Sequence, residues 1–554
     1  MGVPGFFRYI LKNQQLKESI VYDNINKDID ILYFDFNCLI HHCGAKVRSQ
    51  NKNWKSVSQL ENLIHKEVIS YTEHIIEFVN PLYGIYIGID GVCPMGKVIQ
   101  QRERRYKTVI EIEKLNKLKK KFDVEIEKYW CTSKISPCTS FMISLEKKIV
   151  AILKKKYKHR NVWFSTSGTP GEGEHKIIHH IKSLKEKKNI AIYGLDADLI
   201  FLSLSLHQKD VLLLRESQEF DKNSKESEFT WMDIDVLKEE IKLKMNSQKE
   251  NAVIDFIFLC FLLGNDFIHK IPTLNIYKNA IPFLIFEYNN HKKLNPNKFL
   301  VYEKNLQINF GFFKEILHSI AVRESFTLQK QYIEYRDRNI PQNQKFESEY
   351  EKELYIYSRV LDHTDDLQLK GKNLLEDKKI YYSRFFNTKT IQSVIKDYLK
   401  SLEWCLHYYL KSIVSWNFHY PYHHGPFASD ILQLLKSETI CNKNKFTLSK
   451  PLLPIEQLVL IIPLKDKNII PKCFYEIYEI KEFYKYFYFQ KYVKYDNNYV
   501  PYRYLTKMIL PEIDMEHYKK EISSIMKNLN EKEKKKIEHL TKIKKVHCFL
   551  KKKN

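Results

Sequence analysis

Apolar residues in this chain gather into short, nearly unbroken runs, and the runs stop at acids. Ile29 to Phe34 is one such run, ending at Asp35. Its length and hydrophobicity predict a strand buried on both faces. Across residues 57–79, Leu60, Ile64, Val68, Tyr71, Ile75 and Phe78 recur at helical spacing, and Asn80-Pro81 stops the helix. Tyr83 to Ile89 predicts the next strand, which ends at Asp90-Gly91. Strand, helix and strand of these lengths make a βαβ unit. Val162 to Phe164 breaks into a Gly/Ser/Thr/Pro loop that delivers Glu172 and Glu174 to the start of a helix. Ile190 to Tyr193 closes on Gly194 and delivers Asp196 and Asp198; the apolar segment 255–263 closes on Gly264-Asn265-Asp266.

The fold class that follows is α/β: a mixed, largely parallel central sheet flanked by helices, with a mainly helical second domain wrapped around it. The expected division is a first domain over 1–250, carrying most of the acids, and a helical domain over 251–520 that adds Asp266 to them. Residues 96–128 are polar, very basic and helical in pattern. Between about 290 and 385 the pattern weakens into a charged connector, partly helical. Residues 386–435 regain a dense aromatic pattern, and 446–515 hold a helix and Pro-punctuated loops. Residues 521–554 form a Lys-rich tail, expected as a solvated helix or frayed end.

Seven acids, Asp35, Asp90, Glu172, Glu174, Asp196, Asp198 and Asp266, thus stand where apolar elements end. In open α/β sheets the carboxyl edge of the strands is where ligands bind. One D-x-D or E-x-E is most simply a solvated loop or a helix cap. Seven acids brought to one edge repel unless cations neutralise them, and oxygen donors suit Mg²⁺ or Mn²⁺ rather than Zn²⁺. Seven exceed the needs of one ion and suit two, the arrangement that hydrolyses phosphodiesters without a covalent intermediate. No P-loop and no Ser-His-Asp or Cys-His arrangement is present to point elsewhere.

A second constellation follows Asp90. With a helix starting near Gly96, Lys97, Gln101, Arg104 and Arg105 share one face. Three cations and an amide beside a metal carboxylate make a pocket for a terminal phosphate, where an isolated basic helix would be read as solvated surface. A third constellation is aromatic: His41-His42 follow Asp35, and Trp416, Phe418, Tyr420 and Tyr422 cluster later. Such rings stack on unpaired bases without reading sequence, although a Tyr or Trp in a large protein is more often core.

Composition changes the picture modestly. Ninety Lys+Arg against 67 Asp+Glu give a formal charge of +23, which admits a polyanionic partner. Lys, Ile and Asn are abundant throughout, so the charge is permissive rather than diagnostic. Ten cysteines show no C-x-x-C or paired Cys/His spacing, which argues against a structural zinc, a disulfide framework and an oxidising compartment. No apolar run reaches the roughly 18 residues that span a bilayer. The N-terminus lacks a signal-peptide layout, and Phe6 stands where myristoylation needs Ser or Thr. A soluble, intracellular protein is expected.

Together these residues resemble the XRN family of 5′→3′ exoribonucleases. The resemblance rests on MGVPGFFR, DFN-x-x-IHH, DGV-x-P-x-x-K-x-x-QQR-x-RR, TPGEGEHK, GLDADLIFLSL with LLRE, FLCFLLGNDF, WCLHYYL, SWNFHYPYHHGP and KPLLPIEQL, in order from residue 1 to about 515. It implies a PIN/flap-nuclease-like fold and the seven acids as ligands of two Mg²⁺, with Mn²⁺ a substitute. Lys97, Gln101, Arg104 and Arg105 would hold a 5′-monophosphate, and His41 would stack on the first bases against Trp416 or Phe418. Trp416 is the first choice, and the departure from the family's frequent Trp at both positions leaves the pair open. The segment Gly2 to Arg8 would help exclude duplex. The implied substrate is single-stranded RNA with a 5′-monophosphate, degraded processively to nucleoside 5′-monophosphates by a monomer in the cytoplasm, after a decapping enzyme has acted in mRNA decay. Nuclear, viral-factory or virion locations are the alternatives. A short form holding the catalytic regions only, of viral or protist type, is expected.

Two other readings share these acids: a flap-type structure-specific DNA endonuclease, and a catalytically idle RNA-binding protein of the same fold. The pocket spacing and the later motifs argue against the first. Intact carboxylates argue against the second. RNA and DNA are not distinguished by the residues themselves, because 2′-hydroxyl contacts are local.

Overall fold

In the computed structural model the described residues are 2–549, apart from 23–24, 26, 195, 218–227, 362–368, 387–389, 439–445, 489–493, 497–498 and 543–546. The expectation for the Lys-rich tail therefore lies partly outside them. At the centre stands an eight-stranded sheet. Its strands are β1 (Ile20–Val21), β2 (Ile31–Asp35), β3 (Gly84–Gly88), β4 (Asn161–Ser165), β5 (Ile190–Tyr193), β6 (Val211–Glu216), β7 (Phe229–Asp233) and a last strand, His547–Phe549. The order is β1-β7-β6-β5-β2-β3-β4-last. β2 runs parallel to β3 and β5, β3 to β4, and β5 to β6, whereas β1, β7 and the last strand pair antiparallel at the two sides.

The chain moves outward from β2 through β3 to β4, then returns to the other side of β2 for β5 and β6. The reversal beside β2 is a topological switch point, where a crevice opens at the carboxyl ends. Register brings those ends level: Asp35 is opposite Gly88, Gly88 opposite Ser165, and Phe34 opposite Tyr193.

β2 is buried on both faces, as its apolar run requires. Leu32 and Phe34 pack under α2 (Phe36–Gln50) and α3 (Val57–Val79), while Ile31 and Tyr33 face the opposite core. That second core passes without a break through α1 (Phe6–Lys12), α5 (Gly173–Ser183), α6 (Ala197–Leu204) and α7 (Asn251–Phe261) into α8 (Ile391–Leu410). The helical part is therefore bound to one sheet face by shared apolar burial.

The basic stretch after Asp90 is helical over α4 (Met95–Lys121), shorter than the expected 96–128, and ends with three lysines in its last turn. Its inner face clamps distant chain. Arg102 donates to Pro511 and Tyr486 carbonyls, Lys107 to those of Arg503, Tyr504 and Thr506, and Tyr106 to that of Ile462.

Two expectations for the later chain are revised by packing. The weakly patterned region includes helices 310–321, 324–336, 349–358 and 374–385, and Phe312, Phe313, Ile316, Leu317 and Ile320 of the first lie in the main core. Past residue 511, α10 (Met515–Asn528) and α11 (Glu531–Thr541) are not simply solvated. Tyr518, Ile522, Ile525, Ile537 and Leu540 pack on α9 (Pro454–Ile461), and the last strand closes the β4 edge.

Asp255, on α7, is buried with a structural task. Its carboxylate accepts the N–H groups of Leu300 and Val301 and the hydroxyl of Tyr288. Asp255→Ala should orphan those donors and lower the unfolding free energy by about 3 kcal/mol. Urea denaturation checks this, and a loss below about 1 kcal/mol would refute it.

Candidate metal centre and substrate pocket

The seven acids converge. Asp35 is the N-cap residue of α2, Glu172 that of α5 and Asp196 that of α6; Glu174 and Asp198 lie in the first turns of α5 and α6. Three helix N-termini thus face the cluster, and their dipoles favour negative charge. Asp90 reaches it from the loop after β3, where its carboxylate accepts Gly173 N–H at 2.6 Å and its own N–H donates to Asn37. Asp266 arrives from the turn after α7, in which Gly264 has φ +84° and Asn265 accepts the N–H groups of Phe267 and Ile268.

Close approach between elements sets the spacing. A Cβ on Gly173 would stand 2.7 Å from Gly88 O and 3.0 Å from Asp35 Oδ1. Gly2 has φ +48°, donates to Asp198 Oδ2 at 3.0 Å, and has no room for a Cβ beside that carboxylate. The N-terminal segment is therefore tucked against the acids.

Charge is the dominant feature. Asp35, Glu172 and Glu174 are 5 % exposed and Asp198 2 %. Burial, reinforced by Asp90 and Asp196, raises the Asp35 carboxyl well above its usual value. Burial with Asp198 and Glu172 does the same to Glu174, and burial pushes Asp198 up to about 6. Lys97, on α4, meets this charge directly: its Nζ lies 2.7 Å from Glu172 Oε1, 2.7 Å from Asp266 Oδ2 and 3.9 Å from Asp198 Oδ2. Burial opposes the ammonium, but Asp266, Glu172 and Asp198 outweigh it and raise its pKa. Burial would also raise Asp266, yet Lys97 brings it to about 2.

Among the described residues Lys97 is the ammonium paired directly with these acids, and it does not balance seven of them. Glu174 Oε2 is buried with no hydrogen-bond partner among the described residues. An oxygen donor set with an orphaned, buried carboxylate oxygen fits hard divalent cations.

Residues not singled out in the sequence complete the cluster. Tyr408 donates to Glu172 Oε2 and Tyr409 to Asp198 Oδ1, both from the end of α8. Cys38 Sγ donates to Asp35 Oδ2 at 2.9 Å. Lys176 donates to the carbonyls of Ile89 and Thr166, bracing β3 and β4 against α5. The two tyrosines sit in WCLHYYL, whose periodicity marks a core helix; adjacent hydroxyls aimed at two acids leave no periodic trace.

The expected phosphate pocket divides. Lys97 points into the carboxylates, as above. Gln101 accepts a hydrogen bond of 3.4 Å from Gln457, and Arg105 donates to Ser136 Oγ at 2.6 Å. Arg104 is exposed on the same helix. His41 is exposed nearby, and desolvation and the charges of Arg104 and Arg105 lower its pKa to about 4. The ring is neutral at pH 7. Trp416 is half-buried, and its carbonyl accepts the N–H of Met95 at the start of α4. Phe418, equally half-buried, packs on Trp404 and Phe446.

Comparison with known proteins agrees with this architecture. Residues 1–217 match the family described as XRN 5′-3′ exonuclease N-terminus, and residues 246–379 and 377–553 match that described as Xrn1 helical domain. The chain belongs to the XRN family. Among similar proteins, 5′-3′ exoribonuclease 1 of Homo sapiens is 29% identical over 546 residues, covering 86% of this chain and 31% of that protein. The 5′-3′ exoribonuclease 1 of Saccharomyces cerevisiae is 27% identical, covering 86% and 40%, and 5′-3′ exoribonuclease 2 of Arabidopsis thaliana is 24% identical, covering 86% and 62%. The chain thus spans less than two thirds of the length of these relatives. Among the described residues no helix is long and apolar enough to cross a membrane.

The tyrosine hydroxyls orient carboxylates, so their loss should register as metal affinity. Tyr409→Phe should weaken Mn²⁺ binding by about 10–100-fold, measured by calorimetry, with little change in thermal unfolding. Unchanged affinity would leave the hydroxyl no role at the metal.

Proposed function

We propose that this chain is a 5′→3′ exoribonuclease that hydrolyses 5′-monophosphorylated single-stranded RNA processively to nucleoside 5′-monophosphates. The observation that carries this reading is the convergence of seven acids at the carboxyl edge of the sheet, beside a helix presenting Lys97, Gln101, Arg104 and Arg105. Asp35, Asp90, Glu172, Glu174, Asp196, Asp198 and Asp266 would hold two Mg²⁺ ions, for which Mn²⁺ can substitute. When bound, the ions activate a water and stabilise the leaving oxygen of the phosphodiester. Tyr408 and Tyr409 keep Glu172 and Asp198 oriented. Lys97 neutralises acids in the metal-free chain and turns to the substrate phosphate once cations take over that task.

Arg104 and Arg105 supply forked donors to the terminal phosphate, with Gln101 beside them. The pocket rejects capped and triphosphorylated ends by size. Neutral His41 stacks on the leading bases, opposite Trp416, and the Gly2 to Arg8 segment keeps duplex away. The division of labour is a nuclease domain over 1–250, a helical domain over 251–520 and a basic tail over 521–554. The relatives named 5′-3′ exoribonuclease support this reading, and a place in mRNA decay after a decapping enzyme, as a cytoplasmic monomer, is its extension.

The ion pairs of Lys97 favour a second reading, an RNA-binding protein of this fold that does not cleave. One experiment separates the two: digestion of end-labelled single-stranded RNA bearing 5′-monophosphate, 5′-hydroxyl or 5′-triphosphate, with Mg²⁺ and with EDTA. The expected result is Mg²⁺-dependent release of mononucleotides from the monophosphate substrate alone, abolished by Asp198→Ala with RNA binding retained. Arg104→Ala should erode the preference for phosphorylated ends. Cleavage regardless of the end would indicate a flap-type endonuclease, and binding without cleavage would leave the second reading in place.

A further inference from the structure

We propose that Cys38 is a ligand at the metal centre and that one of its positions is a mixed sulfur–oxygen site, selective for borderline-soft divalent cations over Mg²⁺. The inference rests on the metal reading above and adds the identity of a ligand and the kind of ion it selects.

Cys38 lies in the first turn of α2, three residues after Asp35. Its half-buried Sγ is 2.9 Å from Asp35 Oδ2. Ligand atoms of Asp35, Cys38 and Asp196 all lie within 4.8 Å of one another, a spacing that one ion can span. Among the described residues this is the one grouping of three or more His, Cys, Asp and Glu side chains so disposed. The orphaned oxygen of Glu174, whose carboxylate is close enough to feel the charge of Asp35, is a second sign that the cluster to which Asp35 belongs is built for a cation. Glu174 is buried, and its neighbour Gly173 packs against Asp35.

The guanidinium of Arg215 is close enough to feel the charges of Cys38 and Asp196, whereas the carboxylates of Asp35 and Asp196 beside the sulfur oppose its ionisation, so the thiol gives up its proton only as the cation binds. On binding, the Sγ–H proton leaves to solvent, the hydrogen bond to Asp35 breaks, and a metal–sulfur bond replaces it. Mg²⁺ requires oxygen ligands and gains little from sulfur, whereas Mn²⁺, Zn²⁺ and Cd²⁺ gain progressively from a thiolate.

The test uses Cd²⁺, whose bond to sulfur produces a charge-transfer band in the ultraviolet. The full chain is titrated with Cd²⁺, followed by that band and by calorimetry, and then challenged with Mn²⁺ and with Mg²⁺. Cys38→Ser and Cys38→Ala are compared after their folding has been checked by circular dichroism. The expected result is a band that Mn²⁺ displaces more readily than Mg²⁺. Both variants should lose that band, with Cd²⁺ affinity falling by at least about tenfold, the lower end of what even a supporting group contributes to a metal site. Mg²⁺ affinity should be little changed by either substitution. A band that survives in both variants, or equal Cd²⁺ affinities, would overturn the role of Cys38 while leaving the carboxylate centre standing. Failure of the wild-type chain to bind Mn²⁺ or Mg²⁺ at all would overturn the metal reading and this inference with it.

Discussion

Like charges held together out of water are the constraint on which the structure depends. Seven carboxylates sit at the carboxyl edge of one sheet, and four of them are almost wholly buried. Such an arrangement is unfavourable unless something positive stands among them. The fold offers three partial remedies: helix N-termini, the ammonium of Lys97, and hydroxyl or amide donors from Tyr408, Tyr409, Gly2 and Gly173. These orient the acids and offset only part of their charge. A site that stays strained when metal-free is prepared to bind cations tightly.

The rest of the molecule serves this cluster. The parallel core of the sheet levels four strand ends, and the switch point beside β2 opens room between them. The helical region supplies Asp266 and the two tyrosines, and its core is continuous with one sheet face. α4 has two jobs on two faces. Arg102, Tyr106 and Lys107 tie it to chain about 360–410 residues away in sequence, while Lys97 pairs with the acids and Arg104 is close enough for Asp266 to feel its charge. That anchoring fixes a long basic helix against the rest of the chain beside the acids.

Much of this was legible in the sequence, for identifiable reasons. The buried parallel strands are short apolar runs, and the acids mark their ends, so β2 to β5 were found to within two residues at either end. β1 and the last strand were not legible, because three residues or fewer carry no periodic signal. β6 and β7 were not read as strands either, because what pairs them is tertiary. The helix over 310–321 was read as connector because the charged sequence around it masks its five buried apolar residues. At the site, the acids were legible as residue types at strand ends, but the partner choices were not. Lys97 reads as one of four pocket residues from spacing, and only packing shows it turned toward Glu172 and Asp266. Tyr408, Tyr409 and Cys38 do not stand out in the sequence, because the apolar residues around them signal only burial.

The most direct measurement is diffraction from crystals of the chain soaked in Mn²⁺, with anomalous scattering used to locate the ions. If the acids are a two-ion centre, two anomalous peaks will lie among Asp35, Asp90, Glu172, Glu174, Asp196, Asp198 and Asp266, and Lys97 will have moved away from Glu172. Crystals that show no peak there, with Lys97 still paired to Glu172 and Asp266, would contradict the assignment and make the ammonium the permanent occupant of the site.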